Sequence, residues 1–217
     1  MLDYGCGRGT LVQYLRERGI EAVGYDPSPA AVALARKSRT PVFTEIPAGP
    51  YDLVMFWHSL EHTDDPLAAV RTARSRLLPG GKLLIAVPNA ASWEAKIAHE
   101  RWFHYDYPFH RVHFTPRALR LMLERAGFRV RGIDFFNPEY TLSGLVQTFL
   151  NFFLPKNVLY SVVSHRRMEL PRALAILISL VSLVLVLLFA PVLLTVFFLA
   201  LLFKKTGAIA VIADRIA

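Results

Sequence analysis

The chain has 217 residues, which is enough for one domain with a full hydrophobic core and an additional segment. Its 25 basic and 17 acidic residues give a net charge of +8, an excess typical of binding to nucleic acid or to an anionic membrane surface. Residues 137–217 hold 7 basic and 3 acidic residues, so the excess is proportionally larger in this apolar part. The sequence contains no DNA- or RNA-binding motif, which favours a lipid bilayer over nucleic acid as the partner. The single cysteine, Cys6, excludes an intramolecular disulfide and fits a reducing cytoplasm.

Apolar periodicity and turn residues predict strands and helices that alternate along residues 1–136. The predicted strands are Glu21–Tyr25, Val42–Phe43, Tyr51–Trp57, Leu83–Val87 and Phe128–Phe136. The predicted helices are Leu11–Arg18, Ala30–Lys37, Pro66–Leu78 and Thr115–Ala126. Ser28 is a candidate helix cap, and residues 79–81 (Pro-Gly-Gly) are predicted to form a turn. The alternation indicates an α/β fold with a doubly wound, mostly parallel sheet.

The start of the sequence is unusual for such a fold. Residues 1–4 leave room for only the end of a strand before Gly5, whereas a strand usually has about five or six residues. We therefore expect the first strand to be cut short. The N-terminus is interpreted as truncated, either because the sequence is a fragment or because its start is mis-assigned.

A glycine-rich loop, Gly5-Cys6-Gly7-Arg8-Gly9, lies between the first predicted strand and the first predicted helix. Glycines there allow a ligand to approach the backbone, and a helix N-terminus offers N–H groups to an anion. Asp26 ends the next strand, where a carboxylate can accept hydrogen bonds from ribose hydroxyls. A nicotinamide or flavin dinucleotide site would need Gly or Ala at the position of Thr10. The loop therefore predicts an adenosine-containing cofactor of another kind.

These residues belong to a longer pattern that resembles the class I S-adenosylmethionine-dependent methyltransferases. The motifs that carry the resemblance are Leu2-Asp3-Tyr4-Gly5-Cys6-Gly7-Arg8-Gly9, Tyr51-Asp52-Leu53-Val54, Trp57-His58-Ser59-Leu60-Glu61-His62 and Leu77-Leu78-Pro79-Gly80-Gly81. The match continues to residues 126–128 and is similar to a bacterial subgroup related to the quinone-biosynthesis O-methyltransferases. The resemblance implies a Rossmann-like sheet whose last strand, near residues 208–214, is antiparallel.

The resemblance also implies roles for individual residues in binding S-adenosyl-L-methionine. The residues assigned to the cofactor are Asp3, Gly5, Cys6, Gly7, Gly9, Asp26, Pro27, Phe43, Thr44, Trp57 and His58. Among these, the glycine loop would carry the methionine moiety and Asp26 the ribose. Phe43 and Thr44 would lie near the adenine, and Trp57 and His58 would line the pocket.

Histidines are the candidate catalytic bases, because their side chains titrate near neutral pH. His110 and His104 follow the fifth predicted strand, in a stretch that mixes aromatic and titratable side chains. Both are weighed against a purely structural role. His62, next to Glu61, is interpreted as bracing the following helix. The histidines show no recognisable metal-ligand set, so no metal site is predicted.

Residues 173–203 form an uncharged run of 31 residues. A run this apolar predicts a membrane segment, although it is too short for two complete spans of ~20 residues each. Pro191 within the run, together with basic residues at both ends, predicts a re-entrant hairpin that enters and leaves the membrane on the cytoplasmic side. Residues 145–154, rich in phenylalanine, are a candidate interfacial helix.

The resulting prediction is a methyltransferase core over residues 1–136, a membrane insertion over 137–206 and a final core strand over 207–217. The expected acceptor is membrane-associated or lipid-linked, and the expected location is the cytoplasmic face of the cell membrane. Two alternatives stay open. One is a nucleotide-dependent oxidoreductase, and the other is a membrane-anchored module that binds a cofactor without catalysis.

Overall fold

The computed structural model of the chain describes residues 1–137, 139–164 and 171–216. The chain separates into two compact units. The first comprises Met1–Val87, Arg111–Asp134 and Ala210–Ala217, and the second comprises Pro88–His110 and Phe135–Ile209. Residues 88–110, which the sequence analysis placed in the core, thus belong to the second unit.

A seven-stranded sheet organises the first unit. Its strands are β1 (Leu2–Tyr4), β2 (Val23–Tyr25), β3 (Val42–Phe43), β4 (Tyr51–Trp57), β5 (Leu77–Pro88), β6 (Phe128–Asp134) and β7 (Ala208–Arg215). They lie in the order β3-β2-β1-β4-β5-β7-β6. Strands β1 to β5 pair in parallel, whereas β6 and β7 are antiparallel, with Phe128 opposite Arg215. The predicted doubly wound sheet with an antiparallel last strand is therefore confirmed.

The helices of this unit are α1 (Thr10–Arg16), α2 (Pro29–Lys37), α3 (Pro66–Arg76) and α5 (Pro116–Arg125). All of these except α1 begin at a side-chain cap. Ser28, Asp65 and Thr115 each accept a hydrogen bond from a backbone N–H in the first turn, and each is followed by proline. A proline at this position loses no helical hydrogen bond, because its N–H would have no partner within the helix. The cap predicted at Ser28 is confirmed.

The strand β5 begins six residues earlier than predicted, at Leu77 rather than Leu83. Leu77 pairs with Tyr51 and Lys82 pairs with Leu53, so the residues between them bulge out of the ladder. Gly80 lies in this bulge with φ +75°, a conformation that favours glycine. The predicted Pro-Gly-Gly turn is therefore wrong: the segment is an irregularity within a continuous strand.

The second unit is helical. It contains α4 (Trp93–Ala98), α6 (Thr141–Leu150), α7 (Val158–Ser164) and α8 (Arg172–Leu202). Side-chain amides link these elements: Gln147 donates to Asn151 at 2.8 Å, and Asn151 donates to the carbonyl of Arg101 at 2.8 Å. The candidate interfacial helix begins at Thr141 and ends at Leu150, so residues 151–154 follow it as turns.

The long helix α8 contradicts the predicted hairpin. It is continuous over 31 residues with Pro191 inside it. Proline removes one backbone hydrogen bond from a helix interior, whereas a turn would leave several polar backbone groups unpaired in an apolar stretch. The continuous helix is therefore the less costly arrangement for this sequence.

Helix α8 is also unlike the core helix of a soluble domain. Among the residues that the structure describes, it is the one helix long and apolar enough to cross a membrane, and only 6% of its most apolar window is buried. Its less exposed positions recur every three or four residues from Ala175 to Ala200, which places them on one stripe. Helices α6 and α7 pack against α8, and the rings of Phe149 and Phe189 lie 5.1 Å apart.

Candidate functional site

The glycine-rich loop joins β1 to α1 and is fixed to the neighbouring strand by its backbone. The amides of Gly5 and Cys6 both donate to the carbonyl of Tyr25, at 2.7 and 3.0 Å. The amide of Gly9 donates to the carbonyl of Cys6 at 3.0 Å. The loop therefore lies against the carboxyl end of β2, where ligands bind in open α/β sheets.

Glycine is required at both ends of this loop. Gly5 has φ +79°, and a Cβ there would lie 2.4 Å from the Cβ of Ser59, which is far inside contact distance. Gly9 has φ +77°, and its Cβ would lie 2.6 Å from Val42. Gly7 also has a positive φ, but no heavy atom lies within 4 Å of the Cβ position there. The loop thus packs tightly at its ends and leaves open space at its middle.

Asp26 receives two hydrogen bonds on its carboxylate. Oδ2 accepts from the amide of Gly7 at 2.7 Å, and Oδ1 accepts from the amide of Ser28 at 2.9 Å. The backbone amide of Asp26 donates to the carbonyl of Phe43 at 3.0 Å. A carboxylate has about four acceptor positions, so two remain for the hydroxyls of a ligand. Asp26 therefore orders the glycine loop and keeps acceptor capacity beside it.

Burial sets the electrostatics of the loop. The pKa of the Asp3 carboxyl rises to about 7, mainly because of burial and also because of the nearby charge of Asp26. Burial likewise raises the pKa of the Cys6 thiol to about 12. Cys6 is therefore a thiol at neutral pH and is not a nucleophile. Asp3, in contrast, can gain or lose a proton near neutral pH.

The end of β4 brings a second group of side chains to this unit. His58 follows Trp57 and has φ +50°, an uncommon conformation for a residue other than glycine. Its Nδ1 lies 3.4 Å from Oε1 of Glu61, whose carboxyl is almost fully buried. Ser59 donates to the carbonyl of Tyr4 at 2.5 Å. Serine at position 59 thus connects β4 to the end of β1 directly below Gly5.

The residues predicted to bind the cofactor in this unit gather at the carboxyl ends of four adjacent strands. Asp3 lies within β1 and the loop glycines follow it, Asp26 and Pro27 follow β2, and Trp57 ends β4 with His58 directly after it. Phe43 ends β3 with 46% of its side chain exposed, and Thr44 is exposed beside it. The sheet order thus places the predicted residues on one edge of the sheet.

The two candidate catalytic histidines belong to the second unit. His110 Nδ1 lies 2.8 Å from the carbonyl of His104. A carbonyl only accepts hydrogen bonds, so Nδ1 must carry a proton, and the lone pair of the neutral ring lies on Nε2. His104 itself is only 4% exposed and packs against Phe103 and Tyr140, with ring centroids 4.7 and 5.6 Å away. His104 is therefore placed to orient its neighbours, and His110 is the more accessible of the two.

Two important residues were missed from the sequence. Ser59 was quoted in a motif but given no role, although its position next to the end of a strand was a usable signal. Glu94 carries no sequence signal, because its burial depends on tertiary packing. It accepts hydrogen bonds from the amide of Gly207 and the hydroxyl of Thr148, and burial raises its pKa to about 8. Through Thr148, which accepts from the amide of Phe103 at 3.1 Å, Glu94 connects α4, α6 and the residues after α8.

Residues 1–132 match a protein family described as a methyltransferase domain. A ubiquinone biosynthesis O-methyltransferase of Xanthomonas axonopodis pv. citri is 26% identical over 159 residues, which cover 62% of this chain and 64% of that protein. The chain thus spans less than two thirds of the length of this curated relative.

Solved structures share the fold. A SAM-dependent methyltransferase from Archaeoglobus fulgidus aligns with a TM-score of 0.59 at 21% identity, covering 99% of this chain and 85% of that one. An O-methyltransferase of Brevibacillus brevis, solved with S-adenosyl-L-homocysteine, aligns with a TM-score of 0.55 at 16% identity, covering 99% and 66%. The family match covers more than half of the sequence and includes the glycine loop and Asp26. The chain therefore belongs to the methyltransferase-domain family.

Proposed function

We propose that this chain is an S-adenosylmethionine-dependent methyltransferase that acts on a membrane-associated acceptor at the cytoplasmic face of the cell membrane. The observation that carries the proposal is the carboxylate of Asp26. Two backbone amides, one of them from Gly7, hold it beside the glycine loop with acceptor capacity to spare. This arrangement suits the two ribose hydroxyls of an adenosine.

The residues of the chain fit the remaining parts of that cofactor. The open space at Gly7 leaves room for a ligand against the backbone, and Asp3 offers a carboxyl that a positive charge would ionise. When bound, S-adenosylmethionine supplies a methyl group on a positively charged sulfur. The exposed ring of Phe43, one residue from Thr44, offers an apolar surface to a base.

His110 is the proposed general base. Because Nδ1 donates to the carbonyl of His104, Nε2 has the lone pair that would take a proton from the acceptor. The ubiquinone biosynthesis relatives are named as O-methyltransferases, which favours an oxygen nucleophile in this chain too. A hydroxyl that loses its proton to Nε2 becomes a stronger nucleophile towards the methyl group.

Helix α8 supports the membrane part of the proposal. Its uncharged surface is too large and too exposed to be stable in water, and Arg172 and Lys204 place positive charge at its two ends.

The oxidoreductase alternative is disfavoured by Thr10, which stands where a dinucleotide fingerprint has glycine or alanine. A cofactor-binding module without catalysis would bind S-adenosylmethionine but show no turnover with any membrane-derived hydroxyl acceptor.

Replacing Asp26 by alanine tests the proposed cofactor. We expect the dissociation constant for S-adenosylmethionine to rise by roughly tenfold to a hundredfold, because a charged hydrogen-bond acceptor is lost. Isothermal titration measures this directly. Asp52→Ala is the matched control, since Asp52 is an exposed acid at the start of β4 and should leave affinity unchanged. Tighter binding of a nicotinamide dinucleotide than of S-adenosylmethionine by the unmodified chain would contradict the proposal.

Asp3 should release a proton when the cofactor binds. Its pKa of about 7 leaves it partly protonated near neutral pH, and a nearby positive charge favours the carboxylate and so lowers that pKa. Titrations in two buffers with different ionisation enthalpies should therefore give different apparent binding enthalpies at a pH near 7. The difference should vanish in Asp3→Asn and shrink with S-adenosylhomocysteine, which lacks the sulfonium charge. Identical enthalpies in both buffers would show that Asp3 does not sense the cofactor.

A further inference from the structure

The second unit contains a cavity of about 340 Å³ whose lining includes none of the residues assigned to the cofactor. Its walls come from the segment of Phe103, from α6 and the turn before it, and from α7. Six of the lining side chains are aromatic or aliphatic: Phe103, Tyr140, Tyr160, Val146, Leu159 and Val163. Known ligand pockets range over roughly 300–1,000 Å³, so this cavity suits a small ligand or one group of a larger one.

The three aromatic rings of the lining adjoin one another. The ring centroid of Phe103 lies 5.1 Å from that of Tyr160, with the two planes at 68°. It lies 6.3 Å from the ring centroid of Tyr140, with the planes at 33°. An aromatic ring is electronegative on its face and attracts a cation that lies within about 6 Å of its centroid. Three such rings in one cavity favour a positively charged ligand over an anion.

The formal charge of the lining is negative as well. Glu139 is an exposed acid of the lining, and among the described residues that line the cavity none is basic. The backbone of Glu139 is fixed at two points, because its amide donates to Oδ1 of Asn137 at 3.0 Å and its carbonyl accepts from the hydroxyl of Ser143. The carboxylate of Glu139 therefore adds to the attraction that the rings exert on a cation.

The hydrogen-bonding groups of the lining restrict the kind of cation. Gln147 donates to Asn151 at 2.8 Å and accepts from the amide of Tyr160 at 2.9 Å, so both ends of its amide are engaged. A metal ion such as Ca²⁺ takes roughly six to eight oxygen ligands, whereas Glu139 has the only carboxylate among the described lining residues. A primary ammonium brings three N–H donors that need acceptors. A quaternary ammonium needs none, and its methyl groups suit the aliphatic side chains of the lining.

We propose that this cavity binds a quaternary ammonium group, such as the trimethylammonium of choline, against its aromatic rings. The proposal does not depend on the proposed methyltransferase function. Two sources carry such a group: a free organic cation in solution and the head group of a phosphatidylcholine in a membrane. Helices α6 and α7 both pack against α8, the helix with the apolar exposed surface, so the test includes the membrane source.

Saturation-transfer NMR on the full-length chain in maltoside micelles measures choline binding through the signal of the choline methyl protons. The control ligand is dimethylbutanol, the neutral analogue in which a carbon atom replaces the charged nitrogen. We expect choline to bind about tenfold more tightly, because the neutral analogue lacks the attraction of the rings and the carboxylate. Equal affinity for the two ligands, or no binding of choline, would overturn the proposal.

Variants of an aromatic residue assign the binding to this cavity. Tyr160→Leu should raise the dissociation constant for choline roughly threefold to thirtyfold, because one ring is lost. Tyr160→Phe keeps the ring and should change affinity by less than about twofold. Tyr107→Leu is the matched control, since the ring of Tyr107 is 77% exposed and outside the lining. An equal loss of affinity in Tyr160→Leu and Tyr107→Leu would contradict the assignment.

An exposed variant guards against misfolding of Tyr160→Leu. Glu139→Gln removes the charge and keeps the size of the side chain, so choline affinity should fall roughly twofold to fivefold. Glu100→Gln, at an exposed acid of the same unit outside the lining, should have no effect. Choline affinity that neither Glu139→Gln nor Tyr160→Leu changes would place the binding elsewhere and overturn the proposal.

Vesicles distinguish the two sources of the quaternary ammonium group. The full-length chain is reconstituted either in phosphatidylcholine or in phosphatidylglycerol, and choline binding is measured in both. Loss of choline binding in phosphatidylcholine alone would identify the lipid head group as the ligand, since it competes for the same rings. Equal choline binding in the two kinds of vesicle would identify a free cation as the ligand. Both outcomes support a quaternary ammonium site, provided that the dependence on Tyr160 persists.

Discussion

Replacing His110 by alanine should lower turnover by roughly 10²–10⁴-fold, the range typical of removing a general base. Affinity for S-adenosylmethionine should hardly change, because the residues assigned to the cofactor belong to the loop and strand ends of the first unit. Turnover should fall because the variant lacks Nε2, the proposed proton acceptor. The hydrogen bond from Nδ1 to the carbonyl of His104 at 2.8 Å fixes the ring in the tautomer whose lone pair lies there. The measurement is single-turnover methyl transfer from labelled S-adenosylmethionine to a membrane lipid extract.

Asparagine at the same position separates catalysis from structure. The side-chain amide in His110→Asn can donate to the carbonyl of His104 as Nδ1 does, but it supplies no base. The asparagine variant should therefore be as inactive as the alanine variant. His99→Ala is the matched control, since His99 is an exposed histidine of the same unit. Activity in His110→Asn close to that of the unmodified chain would assign His110 a structural role.

The strand ends of the first unit could be predicted from the sequence because their signals are local. The run Tyr51–Trp57 was identified with its observed boundaries, and Asp26 was placed at the end of the second strand. In a parallel sheet these ends meet on one edge, so their neighbourhood follows from the alternation of strands and helices. This rule and the glycine pattern predicted a site for an adenosine-containing cofactor, whereas the assignment of the loop to the methionine moiety came from the family resemblance.

Features that depend on tertiary contacts could not be predicted in the same way. The close approach of Gly5 to Ser59 joins residues far apart in the sequence, and nothing local marks Glu94 as buried. The continuity of α8 was missed because Pro191 was given more weight than the cost of unpaired backbone groups in an apolar stretch. Residues 88–110 were grouped with the core because they follow it directly in the sequence, whereas their place in the second unit depends on packing contacts that the sequence does not show.

The continuous helix changes how the chain can meet a membrane. An unbroken helix of 31 residues is roughly 46 Å long at ~1.5 Å per residue, which is more than the ~30 Å hydrocarbon core. The residues just before α6 and just after α8 are held together, because the hydroxyl of Thr206 donates to the carbonyl of Phe135 at 2.5 Å. One stripe of α8 is covered by protein along most of its length. The segment between α6 and α7, the helices that contact α8, contains the hydrogen-bonded polar side chains of Asn151 and Asn157, which favours a position along the cytoplasmic leaflet over a transmembrane one.

Both ends of α8 should therefore remain on the cytoplasmic side. Single cysteines introduced as Arg172→Cys and Lys204→Cys in a Cys6→Ser background test this with an impermeant thiol reagent on intact cells. Neither site should react until the membrane is opened, after which both should react fully. The two sites should behave alike because the hydrogen bond from Thr206 to Phe135 holds the segment after α8 next to the segment before α6.

A control and a contrary result complete this test. Leu187→Arg together with Leu188→Arg places two charges on the exposed side of α8, in place of apolar surface that an interfacial helix buries in the leaflet. If α8 lies along the leaflet, this pair should release protein from membranes, whereas Leu34→Arg on the exposed side of α2 should not. Labelling of Arg172→Cys alone in intact cells would establish a transmembrane helix. The same-side arrangement would then be wrong, and the chain would have to cross the bilayer before α8 and return through it.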